Sequence, residues 1–178
     1  IEFGDIIFPK AVNPSLSINT IEIEKIINLN KNSIVNFLNE KIIVSKDKTI
    51  YLIDKNNKNN FEYELSLRKN EKTISIFEFN KDIHVLTNRS RIFVIYGKNI
   101  SELADFDIFT NTTPIVSHKN LILLSVFGDI YDVKLDDYSI SKIDNFVLKS
   151  GITIKSNIFE DKTNLYYLFN SGTLLTFN

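Results

Sequence analysis

The chain has 178 residues, a formal net charge of −1 and a pI near 6.2, with 43% hydrophobic and 24% charged residues. That is enough apolar content for a sizeable core, and it lacks the basic surplus a nucleic-acid surface normally carries, so a nucleic-acid role is disfavoured. There is no Cys and there are only two His, which removes disulfides, thiol chemistry and thiolate metal sites and leaves any metal to carboxylates.

No apolar run approaches the roughly 18 residues of a membrane span, so no span is expected within the chain. The sequence begins at Ile1 and contains no Met. Its native start is therefore expected upstream, where a signal peptide or lipid anchor would sit.

Taken in order, FGDIIF at positions 3–8 reads as the end of a hairpin, because FGDIY returns at positions 127–131. Residues 11–17, with Pro14, read as a loop. INTIEIEKIINL at 18–29 alternates at Ile21 and Ile23, which favours a strand over the competing reading of a short helix.

Complete units follow. The first is expected to place strands A to D at 34–38, 41–45, 49–54 and 61–67, with NNKNN at 56–60 separating C from D. The second places them at 73–79, 83–87, 91–96 and 103–109, and the third at 114–118, 121–126, 130–135 and 139–146. The fourth has 152–159, 165–169 and 173–177, with a turn at 170–172, and ends before a D strand. β-branched and aromatic residues fill these runs, as pleated and half-buried surfaces require.

The first apolar residue after each B–C turn falls at Ile6, Ile50, Ile92, Ile130 and Leu174, steps of 44, 42, 38 and 44 residues. A recurrence near forty residues with short strands in each unit predicts an all-β chain, a β-propeller or partial propeller of about four repeats of four antiparallel strands. We read 1–178 as one domain with units at about 33–72, 73–113, 114–151 and 152–178 and a partial unit at 1–32. Either the strand near 21–27 pairs with the open last blade to close a small ring, or the chain is part of a ring of about six to eight blades. The second reading is favoured.

The unit consisting of an apolar B strand, a short turn, I-Y-x-I-D and a polar loop is written as KDKTIYLIDKNN at 46–57 and less fully as FGDIYDVKLDD at 127–137. It resembles the PQQ-like propeller repeat, a family that includes quinone-dependent alcohol dehydrogenases and the non-enzymatic outer-membrane-assembly lipoproteins of the BamB type. Asp54 and Asp136 match the family's blade-ending Asp, while its Thr-Gly and its Trp are absent. The dehydrogenase branch would stack its quinone between a Trp and a vicinal Cys pair, and this chain has neither residue. The resemblance therefore implies the non-enzymatic branch and no cofactor.

Other chemistry finds little to stand on. His84 lies among Ile83, Val85 and Leu86 and reads as a hydrogen-bonded structural residue; His118, beside Lys119 and Asn120, reads as a loop residue. Asp105 and Asp107 could share one face of a strand as paired carboxylates, but alternation on a wet outer strand explains them without a function. Asp132, Asp136 and Asp137 with Lys134 read as a solvated edge. Strand A offers only Glu78 to a ring centre, which argues against a carbohydrate-processing enzyme. No catalytic, cofactor or metal residue is assigned.

What remains is surface. The B–C turns and the D–A links are expected on one rim, and the partner-binding candidates there are Lys46, Lys48, Arg89, Arg91, Phe127 and Asp129. Phe127, beside Gly128, either tucks over its blade edge, the favoured reading, or binds.

The functional expectation is a non-enzymatic protein-interaction scaffold. By resemblance its setting is the bacterial cell envelope or periplasm, its partner an outer-membrane-assembly component, and a dimer or larger ring is compatible with it. Two alternatives stay open, a structural portion of a larger propeller and a propeller enzyme acting on carbohydrate or a quinone-dependent substrate, and the alternative location is cytoplasmic.

Overall fold

The computed structural model describes residues 6–9, 23–38, 40–54, 60–110, 112–117, 119–145, 159–160, 165–168 and 174–177. His118, the loop at 11–17, most of NNKNN and the turn at 170–172 lie outside them.

Seventeen strands and no helix make up the described residues. β1 (Ile6–Pro9) and β2 (Ile23–Ile27) form a two-stranded antiparallel sheet. The first full blade is β3 (Ile34–Leu38), β4 (Lys41–Lys46), β5 (Thr49–Asp54) and β6 (Asn60–Glu64), paired in that order. The second is β7 (Thr73–Phe79), β8 (Asp82–Thr87), β9 (Arg91–Tyr96) and β10 (Asn99–Asp105), and the third is β11 (Ile115–Ser117), β12 (Asn120–Leu124), β13 (Asp129–Lys134) and β14 (Ile140–Asn145). β15 (Phe159–Glu160), β16 (Leu165–Leu168) and β17 (Leu174–Phe177) form a three-stranded sheet. Every pairing is antiparallel.

The strand expected near 21–27 is present as β2, and its partner is β1 rather than the last sheet. The A strands lie side by side where blades meet: Asn36 of β3 donates its Nδ2–H to the Ile76 carbonyl of β7 at 2.7 Å.

The B and C strands of the first two blades bury apolar residues on both faces because each of these blades is covered on both sides. One face of the second blade, with Val85, Phe93 and Ile95, joins Ile43, Ile50, Leu52 and Leu65 of the first in one core. Its other face, with Phe77, Leu86 and Ile92, packs against Leu121, Leu123, Val133 and Tyr131 of the third. Ile27 of β2 covers Ile42, Val44 and Tyr51 on the outer face of the first blade.

The packing repeats with the sequence. Val44 pairs with Tyr51, Val85 with Phe93, and Leu123 with Tyr131. Each aromatic ring faces the preceding unit. Residues 51, 93 and 131 are thus one structural position used three times.

One strand is displaced from its expected place. The second D strand is Asn99–Asp105 rather than 103–109, because the C and D strands are joined by a two-residue turn, Gly97 and Lys98, with Tyr96 directly opposite Asn99. Gly97 sits at φ 59, the left-handed region open to glycine, and its Cβ position is empty space. The third D strand, Ile140–Asn145, lies within its expected range, and β11 is only three residues long. Residues 106–110 are freed to become the link into the third blade.

Candidate partner-binding rim

The turn from β8 to β9 is built by Thr87. Its hydroxyl oxygen accepts from the amides of Arg89 and Arg91, both at 3.3 Å, and Ser90 closes the turn by donating its amide to the Thr87 carbonyl at 2.9 Å. Ser125 does the same in the next blade, accepting from the amides of Phe127 at 3.2 Å and Asp129 at 3.0 Å, while Gly128 donates to the Ser125 carbonyl at 3.1 Å. A hydroxyl followed two and four residues later by bonded amides is the local pattern that Ser and Thr offer to tight turns.

The link from β10 to β11 is held between these two turns. Ser90 donates its hydroxyl to the Ile108 carbonyl at 2.8 Å, and Thr110 donates its amide to the Asn88 carbonyl at 3.0 Å. On the other side the Val126 amide donates to the Phe109 carbonyl at 2.8 Å, and Thr110 donates its hydroxyl to the Leu124 carbonyl at 2.6 Å.

The backbone of Phe109 is therefore bonded to the residue that precedes Phe127. The Arg89 guanidinium lies 4.6 Å from the Phe109 ring centre, a cation–π contact. Phe109 is 41% exposed and Phe127 74% exposed. The favoured expectation for Phe127 was a ring tucked over its blade; the ring projects into solvent instead.

Arg89 also bonds Asp107 at 3.0 Å, and Arg68 reaches both Asp107, at 3.4 Å, and Asp105. The two carboxylates that sequence spacing brought into question are thereby engaged by guanidinium groups along the rim.

Arg91 differs from Arg89. It is 5% exposed, because its parity in β9 puts it on the Phe93 and Ile95 face, turned toward the first blade. It donates to the Ser66 carbonyl at 2.9 Å and to Glu71 at 2.8 Å, pairs with Glu102, and lies 4.8 Å from the Phe93 ring centre. Glu71 is fully covered and also accepts from the Thr87 hydroxyl at 2.6 Å and the Arg68 amide at 2.7 Å. Burial pushes the Glu71 carboxyl up, but the bonds from Thr87, Arg68 and Arg91 outweigh it and hold the group below the ordinary range. This triad locks the first D–A link to the second blade; Arg91 leaves the exposed rim and becomes part of its support.

The remaining candidates are spread. Lys48 is exposed and Lys46 half-buried at the first turn, where Asp47 sits at φ 53 and accepts from Asn30 at 2.9 Å. The first D–A link is tied there through Leu65, whose amide donates to the Lys48 carbonyl at 2.7 Å. Asp129 is half-buried and paired with Lys142 at 2.5 Å. The structure thus brings Arg89 onto the Phe109 ring, sets Phe127 on the next turn of that rim, one residue from the amide that holds the Phe109 carbonyl, and places Lys46 and Lys48 on the first blade's turn of the same rim.

His84 is 2% exposed. Its ring stacks on Phe77 at 5.3 Å, with Nδ1 3.2 Å from the Asp82 carbonyl and Nε2 3.0 Å from the Tyr138 hydroxyl. Burial lowers its pKa, opposed in part by Asp82. These bonds match the structural role expected for it. On the third blade Asp136 is exposed and paired with Lys119 at 3.1 Å, whereas Asp132 is half-buried and accepts from Asn120 at 3.2 Å instead of lying on a solvated edge. Among the described residues no three His, Asp or Glu side chains gather as metal ligands would, and no helix is long and apolar enough to cross a membrane.

Sequence reasoning missed Phe109, which it placed in a D strand, and the Glu71–Arg91 pair. The signal for the turns was present in TNRSR and SVFGD, which share a hydroxyl four residues before the first residue of the C strand.

No family model matches the sequence, and no curated protein matches it. Solved structures do. The computationally designed Ika4 protein superposes with a TM-score of 0.61 at 12% identity, over 80% of this chain and 88% of that one. BamB from Moraxella catarrhalis superposes with a TM-score of 0.56 at 11% identity, over 85% of this chain and 43% of that one. The extracellular domain of a one component system from B. thetaiotaomicron gives 0.58 at 13% identity, over 81% of this chain and 20% of that one. The chain thus spans less than half of each of the latter two. At such identities the likeness is one of fold, and it agrees with the blades seen here: the chain is all-β and built as a β-propeller or a portion of one.

Proposed function

We propose that the chain is a non-enzymatic protein-interaction scaffold that docks a protein partner on the rim formed by Arg89, Phe109 and Phe127. The observation that carries this reading is Phe127, 74% exposed in a turn whose backbone is fixed on both sides. An aromatic ring held in water on the same rim as a second exposed aromatic and its arginine gives that rim the composition of an interface centre, where Tyr, Trp, Phe and Arg are enriched. Lys46 and Lys48 belong to the polar margin of the same face.

The finer reading is a setting in the bacterial cell envelope, within outer-membrane protein assembly. It is supported by the PQQ-like repeat pattern and by the fold shared with BamB.

The test is a photo-crosslinking residue placed at position 127, at 109, or at 119 on the opposite rim, in the full-length gene expressed in its own cells. A discrete crosslinked partner at 127 and 109, lost on Arg89→Glu and absent at 119, is expected. Equal labelling at all three positions, or none at 127 and 109, overturns the reading.

A further inference from the structure

The opposite rim carries a second feature that the proposed docking face does not use. Between the first and second blades lies a half-open groove of about 420 Å³. Its floor is apolar and shared by both blades: Leu52 and Tyr63 from one, Ile83 and Ile95 from the other, all buried, with Phe61 half-buried beside them. The Tyr63 hydroxyl is already committed, donating to the Gly97 carbonyl at 2.7 Å across the blade boundary.

Three lysines stand on this groove. Lys41 opens β4, Lys81 lies in the turn between β7 and β8, and Lys98 lies in the two-residue turn after β9. Asn80 and Lys81 adopt φ 51 and 71, the paired left-handed residues of a tight hairpin turn, which holds Lys81 at the end of the blade. Asp82 is the one carboxylate among the lining residues. Among the described residues none of the three lysines forms an ion pair, whereas Lys119 and Lys142 each do.

We propose that this groove binds an acidic peptide segment carrying a large apolar side chain. The apolar floor takes the side chain, and flanking Asp or Glu residues meet the three ammonium groups, an excess of positive charge over Asp82 that favours an anionic occupant. Lysine is a mobile point charge rather than a fixed fork, and the hydroxyl on the floor is spent inside the protein. The groove therefore reads charge and apolarity instead of the shape of a small metabolite, whose recognition needs several fixed polar groups.

The test uses fluorescence polarisation with two labelled hexapeptides, Asp-Asp-Phe-Leu-Asp-Asp and its neutral counterpart Asn-Asn-Phe-Leu-Asn-Asn, at low and physiological salt. The acidic peptide is expected to bind more tightly and to weaken with salt. Lys81→Glu with Lys98→Glu should weaken it at least about tenfold. Lys69→Glu with Lys72→Glu, the same charge change on the other rim, should leave affinity within about twofold. Lys81→Gln with Lys98→Gln supplies a milder pair, and circular dichroism checks that each variant is folded. Equal binding of both peptides, equal loss in the two charge-reversed variants, or no binding at low salt overturns the proposal. Lysine-dependent binding to phosphatidylserine vesicles without peptide binding overturns it in favour of a membrane surface. Because the groove and the Phe127 rim lie at opposite ends of the strands, either can fail alone.

Discussion

Arg89 and Phe127 occupy the same position in consecutive blades: each donates its amide to the hydroxyl of the residue two before it, Thr87 at 3.3 Å and Ser125 at 3.2 Å. The repeat thus fixes the backbone and leaves this one side chain free to differ. Between the two, the Phe109 ring is reached by Arg89 from one side, and the Phe109 carbonyl is held by the Val126 amide on the other.

That arrangement makes the rim separable from stability. Arg89→Glu with Phe127→Ser removes an exposed ring and an exposed ion pair, so the cost to folding should stay below about 1 kcal/mol in urea denaturation. Crosslinking of the partner should fall about tenfold. Unchanged crosslinking would remove these residues from the docking surface.

Phe93→Ala should cost about 3 to 5 kcal/mol, because the ring is 2% exposed and fills the boundary between the first two blades. Tyr51 fills the equivalent position but is half-buried, so Tyr51→Ala should cost less, about 1 to 3 kcal/mol. Chemical denaturation of both variants checks the order. A near-neutral Phe93→Ala would discredit the structural equivalence of positions 51, 93 and 131.

Arg91→Met leaves the covered Glu71 carboxylate without its cation and should cost about 3 to 5 kcal/mol, part of which Glu71→Leu added to it should restore. The same pair sets an acid response. Glu71 titrates below its ordinary 4.5 in the folded chain. Its contribution is therefore present above the unfolded pKa and is lost as pH falls through the folded one. Stability curves from pH 6 to 3 should lose a share of their downward slope in Glu71→Gln.

His84 gives a second response nearer neutrality. Burial holds its folded pKa below the ordinary 6.5, so the unfolded chain takes up a proton that the native chain refuses. Stability should decline as pH drops below about 6.5, and should stop declining on this account once the folded group itself titrates. His84→Gln should remove that part of the slope between pH 7 and 5; an unaltered slope would show that His84 titrates normally in the fold.

The B and C strands were legible because their residues must satisfy two apolar faces at once, so runs such as KIIVSK and RIFVIY have little else they could form. The second D strand was not, since LADFDIF at 103–109 alternates as cleanly as the true strand NISELAD. Only the tight turn at Gly97 decides between them, by setting where pairing with Tyr96 begins. Arg91 was misjudged for a readable reason: two and four residues before Phe93 and Ile95 it shares their face, and a charged residue opening an apolar strand can point inward when a buried carboxylate waits there. That carboxylate, Glu71, lies 20 residues away in the chain, a pairing that periodicity does not encode. Phe109 faces solvent because backbone groups on both neighbouring turns hold its link, a tertiary constraint with no trace in local pattern.

The link at 106–110 is held from both flanks, by Asn88 and Ser90 on one side and by Leu124 and Val126 on the other. A segment anchored this way has surrendered its backbone freedom at folding, long before any partner arrives. Association at Phe109 and Phe127 then has few degrees of freedom left to freeze. Differences in affinity among rim variants should accordingly appear as changes in how long the complex lasts, with encounter rates nearly constant.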